Sequence, residues 1–273
     1  MIEEKFLQID VEAIIKSKSP KSHKKIPKFI IRYLKKILHQ DEINVFLAEQ
    51  KDVKNLDFVD ASIIFLDMKI EAFGLENIPE EGKFIFVANH PLGGMESLAM
   101  MKIISQKHKN LLFLVNDLLM FLTPLKDIFI SVNKLGSQSR QHVEQINNAY
   151  NSDNQILNFP AGLVSRKIKN KIIDLEWQKN FITKAIETKR DIIPMFVEGK
   201  NSNFFYNLAN IRKFLKLKFN IEMIFLVNEM FKKRGQTTKL HIGKPINYTI
   251  FDKSKTPKEW AKWVKEITYT IKN

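Results

Sequence analysis

The chain is 273 residues long, with 44% hydrophobic and 27% charged residues, proportions that exclude a disordered or fibrous polypeptide. It contains no Cys, which removes a disulfide framework, a thiolate nucleophile, Cys-ligated zinc and an iron–sulfur cluster, and which suits a reducing compartment. A formal net charge of +14 asks for a polyanionic partner, and nucleic acid, an anionic membrane and an acidic carrier protein all meet that description.

The opening Met1-Ile2-Glu3-Glu4 lacks the basic and then apolar start of a secretory signal, so the expectation is a cytoplasmic protein. From Ala13 to Gln40 there are nine Lys/Arg and no Asp or Glu. Ile26, Ile30, Tyr33, Ile37 and Leu38 recur there at helical spacing, with Lys28, Arg32, Lys35 and Lys36 between them. This pattern predicts a basic amphipathic helix starting near Pro27, a residue tolerated in a first turn. Two readings stand open for it: a helix lying on anionic lipid headgroups, or one docked on its own domain. Residues 1–67 read as a helical N-terminal region and residues 68–273 as an α/β domain.

Strands are predicted at Met68–Leu75, Lys83–Ala88, Leu111–Val115, Ile128–Val132, Gln155–Phe159, Asp191–Val197, Ile221–Val227 and Lys239–Gly243. Helices are predicted at Glu96–Ser105, Gln138–Asn151, Trp177–Thr188 and Phe204–Lys216. A last helix has Thr256 as N-cap, Pro257 at its first position and Glu259 closing a capping box. The apolar stretch Leu111 to Val132 is broken by Asn116, Asp117, Pro124, Lys126 and Asp127, so it does not supply the ~20 largely uncharged residues of a spanning helix. Alternating β and α segments predict an α/β fold, a mixed, mostly parallel sheet covered by helices.

In open α/β sheets ligands gather beyond the carboxyl ends of strands, which singles out two loops. One is Asn89-His90-Pro91-Leu92-Gly93-Gly94-Met95-Glu96; the other is Pro160-Ala161-Gly162-Leu163-Val164-Ser165-Arg166. His90, preceding a proline, is held out of helical geometry. Gly93 and Gly94 permit a reversal, and Glu96 then falls in the first turn of a helix, where a carboxylate is favoured. A carboxylate on one imidazole nitrogen fixes the tautomer and leaves the other nitrogen free to take a proton, and the helix start offers N–H groups to an oxyanion. The competing reading is a hydrogen-bonded histidine at a strand end, with glycines that serve only the turn. The remaining histidines show no ligand spacing, so no metal is expected. Neither a Gly-x-Ser-x-Gly elbow nor a phosphate loop is present.

Taken together, Asn89-His90 with its following acid, Phe159-Pro160-Ala161-Gly162 and Ile193-Pro194 resemble the glycerolipid acyltransferase family, which includes the bacterial lysophosphatidic acid acyltransferases. His90-Pro91-Leu92-Gly93-Gly94-x-Glu96, Phe159-Pro160-Ala161-Gly162-x-x-Ser165-Arg166, Asp174-Leu175-Glu176-Trp177 and Gly199-Lys200-Asn201-Ser202 are similar to its branch labelled hemolysin-like or ornithine-lipid O-acyltransferase. The resemblance covers nearly the whole chain and implies that family's fold.

It also implies His90 as general base and Glu96 as its partner acid, in place of the usual Asp. By the same resemblance the substrate-binding residues are Asn89, Gly93, Gly94, Phe159, Pro160, Ala161, Gly162, Ser165, Arg166 and Asn201, together with Asn133 and Lys134, where the family has an acceptor-contacting Arg. Two departures bear on the acceptor: Ala161 replaces a glutamate, and Val164 stands where an arginine would be, with Arg166 two residues on. An arginine fork is the natural partner of a phosphate. Its shift turns the expectation from glycerol phosphate toward the hydroxyl of a lyso-ornithine or lyso-glycine lipid, with lysophosphatidic acid still in the set.

The donor implied is acyl carrier protein or acyl coenzyme A as cosubstrate, with no other cofactor. The expected setting is peripheral, on the inner face of the cytoplasmic membrane. Arg166, Lys167, Lys169 and Lys171 are candidates to meet the lipid or the carrier, or else form a solvated basic loop. The alternative is a noncatalytic basic protein that binds membranes or nucleic acid; no helix-turn-helix, zinc-finger or aromatic RNA-binding signature favours nucleic acid.

Overall fold

A computed structural model describes residues 8–18, 26–117, 119–132, 140–217 and 219–272. The described residues divide into two compact units. One is drawn from Met1–Val53 and Ser202–Arg234, the other from Lys54–Asn201 and Gly235–Asn273.

The first unit is helical: α1 (Val11–Lys18), α2 (Lys28–Ile37) and α3 (Gln40–Glu49). Pro27 caps α2 from an extended conformation, one residue ahead of the helix. On α2, Ile31 and Ile37 are buried while Phe29, Ile30 and Tyr33 are exposed beside Lys28 and Arg32. The helix thus carries apolar groups on an inner stripe and on its basic outer face. A second stretch of this unit holds a long helix at Asn203–Phe214 and a short one at Leu226–Phe231.

The second unit is built on a sheet. Its strands are β1 (Lys69–Phe73), β2 (Phe84–Ala88), β3 (Leu111–Val115), β4 (Phe129–Ser131), β5 (Gln155–Asn158), β8 (Asp191–Val197) and β9 (Thr237–Ile242), with a separate hairpin of β6 (Arg166–Ile168) and β7 (Lys171–Ile173). The seven-stranded order is β1-β9-β8-β2-β5-β3-β4. Only the β8–β9 pairing is antiparallel; the others run parallel. The mixed, mostly parallel sheet expected from the alternation is therefore present.

β2 is buried at all five positions, as a central parallel strand covered on both faces must be. One face of the sheet gives Ile85, Val87, Ile156 and Ile192 to a core with Phe181, Ile182 and Ala185 of α7 (Asn180–Thr188) and Trp260, Ala261 and Val264 of α10 (Pro257–Thr270). The capping box predicted for α10 forms between Thr256 and Glu259. The remaining helices of this unit are α4 (Asn55–Phe65), α5 (Met95–Ile104) and α6 (Arg140–Asn151). In chain order the two helices of the first unit's second stretch are α8 and α9.

One predicted strand is corrected. Ile221–Val227 is a 3₁₀ turn over Ile221–Phe225 leading into α9. Short apolar runs fit a buried helical segment as well as a strand. Here Glu222 and Glu229, both buried, meet Arg212 at 2.9 Å and Lys232 at 2.8 Å, acid spacing that suits one helical face. The β6–β7 hairpin is absent from the expected strands. Lys169 and Asn170 at its tip have φ of 46° and 62°, the left-handed pair that a two-residue hairpin turn demands, and only Asn170 signals it in the sequence. The helix expected from Trp177 starts at Asn180; ahead of it the Gln178 N–H donates to Pro160 O at 2.9 Å and the Trp177 indole to Asp174. No helix among the described residues is long and apolar enough to cross a membrane.

Candidate active site

β8, β2 and β5 are adjacent and parallel, so their carboxyl ends open on one edge, and both loops singled out in the sequence leave from there. Asn89 fastens two of these ends together. Its Nδ2 donates to Val197 O at 2.9 Å and its Oδ1 accepts from Val197 N at 2.7 Å. Asn89 is thus a buried frame residue.

The next residue, His90, keeps 14% of its side chain exposed, whereas Glu96 is fully buried. His90 Nδ1 lies 2.9 Å from Glu96 Oε1. The same oxygen accepts from the backbone N–H groups of Leu92 and Gly93, each at 2.8 Å. Gly93 has φ of 105°, which lets its amide turn inward at little steric cost. Gly94 differs: it is the N-cap of α5 with φ of −138°, a conformation open to any residue.

The amides of Leu92 and Gly93, which lie ahead of the N-cap Gly94, are therefore engaged by Glu96. Burial pushes the Glu96 carboxyl up; the His90 ring and the hydrogen bonds from His90 and Gly93 outweigh it and hold the group below its ordinary value of 4.5. With an ionised carboxylate accepting, Nδ1 carries the proton and the Nε2 lone pair is left to receive another.

Phe159 covers the imidazole, its ring stacked on that of His90 with centroids 4.1 Å apart and planes at 14°. Phe113 packs behind it at 5.3 Å. The loop after β5 then reverses at Gly162, φ 62°, whose N–H donates to Phe159 O at 2.8 Å. Ala161 is buried in the core cluster, and Pro160 contributes its carbonyl to Gln178 N at 2.9 Å.

Asp174 joins the two loops, and its role was legible only as part of the Asp174-Leu175-Glu176-Trp177 motif. The buried carboxylate accepts from His90 N at 3.2 Å, Ser165 Oγ at 2.5 Å and Trp177 Nε1 at 2.9 Å. Its backbone is tied to α10, with Asp174 N donating to the Tyr269 hydroxyl at 2.9 Å and Lys265 Nζ donating to Asp174 O at 2.8 Å. Ser165 N closes the arrangement on His90 O at 2.7 Å. Ser165 thus faces the His90 backbone and Asp174.

A third segment supports the loop from β8. Asn201 Nδ2 donates to Pro91 O at 3.2 Å. Gly199, φ 136°, lies so close to Leu92 that a Cβ would meet its Cδ2 at 2.7 Å. Arg166 departs from expectation. It is buried, and its guanidinium turns back to Val164 O and Ser165 O, so the exposed cations of this hairpin are Lys169 and Lys171. Asn133 and Lys134 lie outside the described residues.

His90, Glu96 and Phe159 therefore come together at one strand edge, with Asn89, Gly93, Ser165 and Asn201 in the surrounding frame. A family model described as Acyltransferase matches residues 13–273. A lyso-glycine lipid O-acyltransferase of Phocaeicola vulgatus is 50% identical over 272 residues, covering 99% of this chain and 98% of the relative. A lyso-glycine lipid O-acyltransferase of Bacteroides thetaiotaomicron is 48% identical, covering 99% and 100%. The crystal structure of the 1-acyl-sn-glycerophosphate acyltransferase PlsC from Thermotoga maritima superposes with a TM-score of 0.49 at 19% identity, covering 90% of this chain and 82% of that one.

Proposed function

This chain belongs to the acyltransferase family, and on that premise we propose that it moves a fatty acyl group from a thioester donor to the hydroxyl of a lyso-glycine lipid. The acceptor follows the printed activity of the two relatives at 50% and 48% identity. The missing arginine at Val164 and the inward turn of Arg166 agree with an acceptor that brings no phosphate to this loop.

The observation that carries the chemistry is the 2.9 Å contact between His90 Nδ1 and Glu96 Oε1. Oriented by it, His90 Nε2 takes the proton of the acceptor hydroxyl as the oxygen attacks the thioester carbonyl carbon. A C–O bond forms, the tetrahedral intermediate expels the thiolate as the C–S bond breaks, and the proton passes from Nε2 to the departing sulfur. One thioester and one alcohol become one ester and one thiol. Phe159, Pro160, Gly162 and Ser165, with Asn133 and Lys134, shape the acceptor side, and Asp174 positions the loops.

The donor is acyl carrier protein or acyl coenzyme A, both anionic, and Lys169 and Lys171 on the exposed hairpin suit either. The enzyme works at the inner face of the cytoplasmic membrane. The exposed Phe29, Ile30 and Tyr33 beside Lys28 and Arg32 on α2 support that placement. The test is a purified assay with each acyl donor against lyso-glycine, lyso-ornithine and lysophosphatidic acid acceptors. Preferred ester formation on the lyso-glycine lipid is expected. Turnover of lysophosphatidic acid alone would overturn the acceptor assignment.

A further inference from the structure

The end of α8 and the turn that follows carry large apolar side chains that are not among the residues of the candidate site. Ile211, Phe214, Leu215, Leu217 and Phe219 are all exposed there, Phe214 at 85% and Phe219 at 66%. Isolated exposed apolar residues are ordinary, whereas several large ones within nine positions mark an interaction site. The other face of α8 is inside, with Phe205, Tyr206 and Ala209 buried, so the helix is already anchored and the outward side chains are surplus to that anchoring.

The turn is held in place by charge beneath it. Arg212 Nε meets the fully buried Glu222 at 2.9 Å while its Nη1 donates to Leu217 O at 3.1 Å. Leu217 N donates to Arg212 O at 3.1 Å, and Lys216 adopts φ of 53°. Arg212 therefore ties the chain past the helix end to the unit's own interior. Lys213 and Lys216 stand exposed among the apolar groups. From residue 199 to 221 the sequence holds five Lys/Arg and not one Asp or Glu.

We propose that this turn is a membrane-contacting element, distinct from α2, that sinks Phe214, Leu215, Leu217 and Phe219 into the acyl boundary of an anionic bilayer while Lys213 and Lys216 meet its headgroups. Charge complementarity selects the occupant. A protein groove for these residues would have to supply its own acidic partners for Lys213 and Lys216, since residues 199–221 contain none, whereas aromatic and aliphatic side chains interleaved with lysine match a headgroup layer over hydrocarbon. Two separate contacts also bind a membrane far more stably than one.

The experiment is co-sedimentation of the full chain with vesicles of phosphatidylglycerol and phosphatidylcholine, and with phosphatidylcholine alone. The variants are F214S/F219S and K213E/K216E, with circular dichroism to verify folding. The wild type is expected to favour the anionic vesicles. F214S/F219S should weaken partitioning at least about tenfold, given the apolar area two Phe side chains bury. K213E/K216E should erase the preference for anionic lipid at low salt. Both variants should retain wild-type turnover of a short-chain lysolipid dispersed as monomers. His90→Ala should sediment like the wild type, so loss of the acyl-transfer reading leaves this one standing. Wild type remaining in the supernatant, variants that bind like wild type, or a solution dimer that F214S/F219S dissociates would each overturn it.

Discussion

The imidazole of His90 and the ring of Phe159 lie face to face, centroids 4.1 Å apart, and so join two loops separated by nearly seventy residues of chain. Stacking restrains the ring that Glu96 already orients through Nδ1. Phe159→Leu keeps an apolar side chain there but removes the stacking face. Since such pairs contribute about 0.5–1.5 kcal/mol, turnover should fall roughly threefold to tenfold with little change in melting temperature, measured by steady-state kinetics and thermal unfolding.

In the proposed mechanism, His90→Ala removes the group that receives the hydroxyl proton. Loss of a general base lowers rates ~10²–10⁴-fold, while the 14% exposed ring contributes modestly to packing. Near-complete loss of turnover in a protein with a wild-type circular dichroism spectrum is expected. Wild-type rates would remove His90 from the mechanism.

Glu96→Gln retains an oxygen for the amides of Leu92 and Gly93 but loses the charge. Activity should drop less than in His90→Ala. The pH dependence has a defined sign: the folded carboxyl titrates below the ordinary 4.5. Its contribution to stability is present above the unfolded value and is lost as pH falls through the folded one. Denaturant unfolding at pH 7 and below pH 4 should show wild type losing more stability on acidification than Glu96→Gln.

Asp174→Ala strands the His90 N–H, the Ser165 hydroxyl and the Trp177 indole N–H in a buried site. Unsatisfied buried donors cost ~1–3 kcal/mol each before relaxation, so a net loss of about 3–4 kcal/mol is expected in urea unfolding. Asp174→Asn, which keeps one acceptor oxygen, should recover part of that stability and of the activity.

Gly199→Ala tests the support behind the loop. A side chain there is strained at φ 136° and collides with Leu92 Cδ2 at 2.7 Å. Destabilisation of about 1–3 kcal/mol with a fall in kcat, because Leu92 precedes the Gly93 amide that holds Glu96, is the expected result.

Much of this protein was legible in its residues alone. The buried run Phe84–Ala88, the alternation of β and α segments and the Thr256–Glu259 capping box are local patterns, and local patterns report burial period and capping directly. His90 and Glu96 stand out because a residue before proline and a first-turn acid have local reasons to be where they are, whereas Phe159 is singled out by the family resemblance of Phe159-Pro160-Ala161-Gly162. Ile221–Val227 misled because a short apolar run has no period of its own. What settled it was the pairing of Glu222 with Arg212 from a helix earlier in the chain.

Only the tertiary structure decided that Leu92 and Gly93 turn their amides to Glu96, that Arg166 folds inward, and that Asp174 bridges two loops to α10. Those outcomes depend on which distant groups share a buried space. Hydrogen-bond partners there are chosen by geometry and desolvation, which residue order does not encode within any one segment.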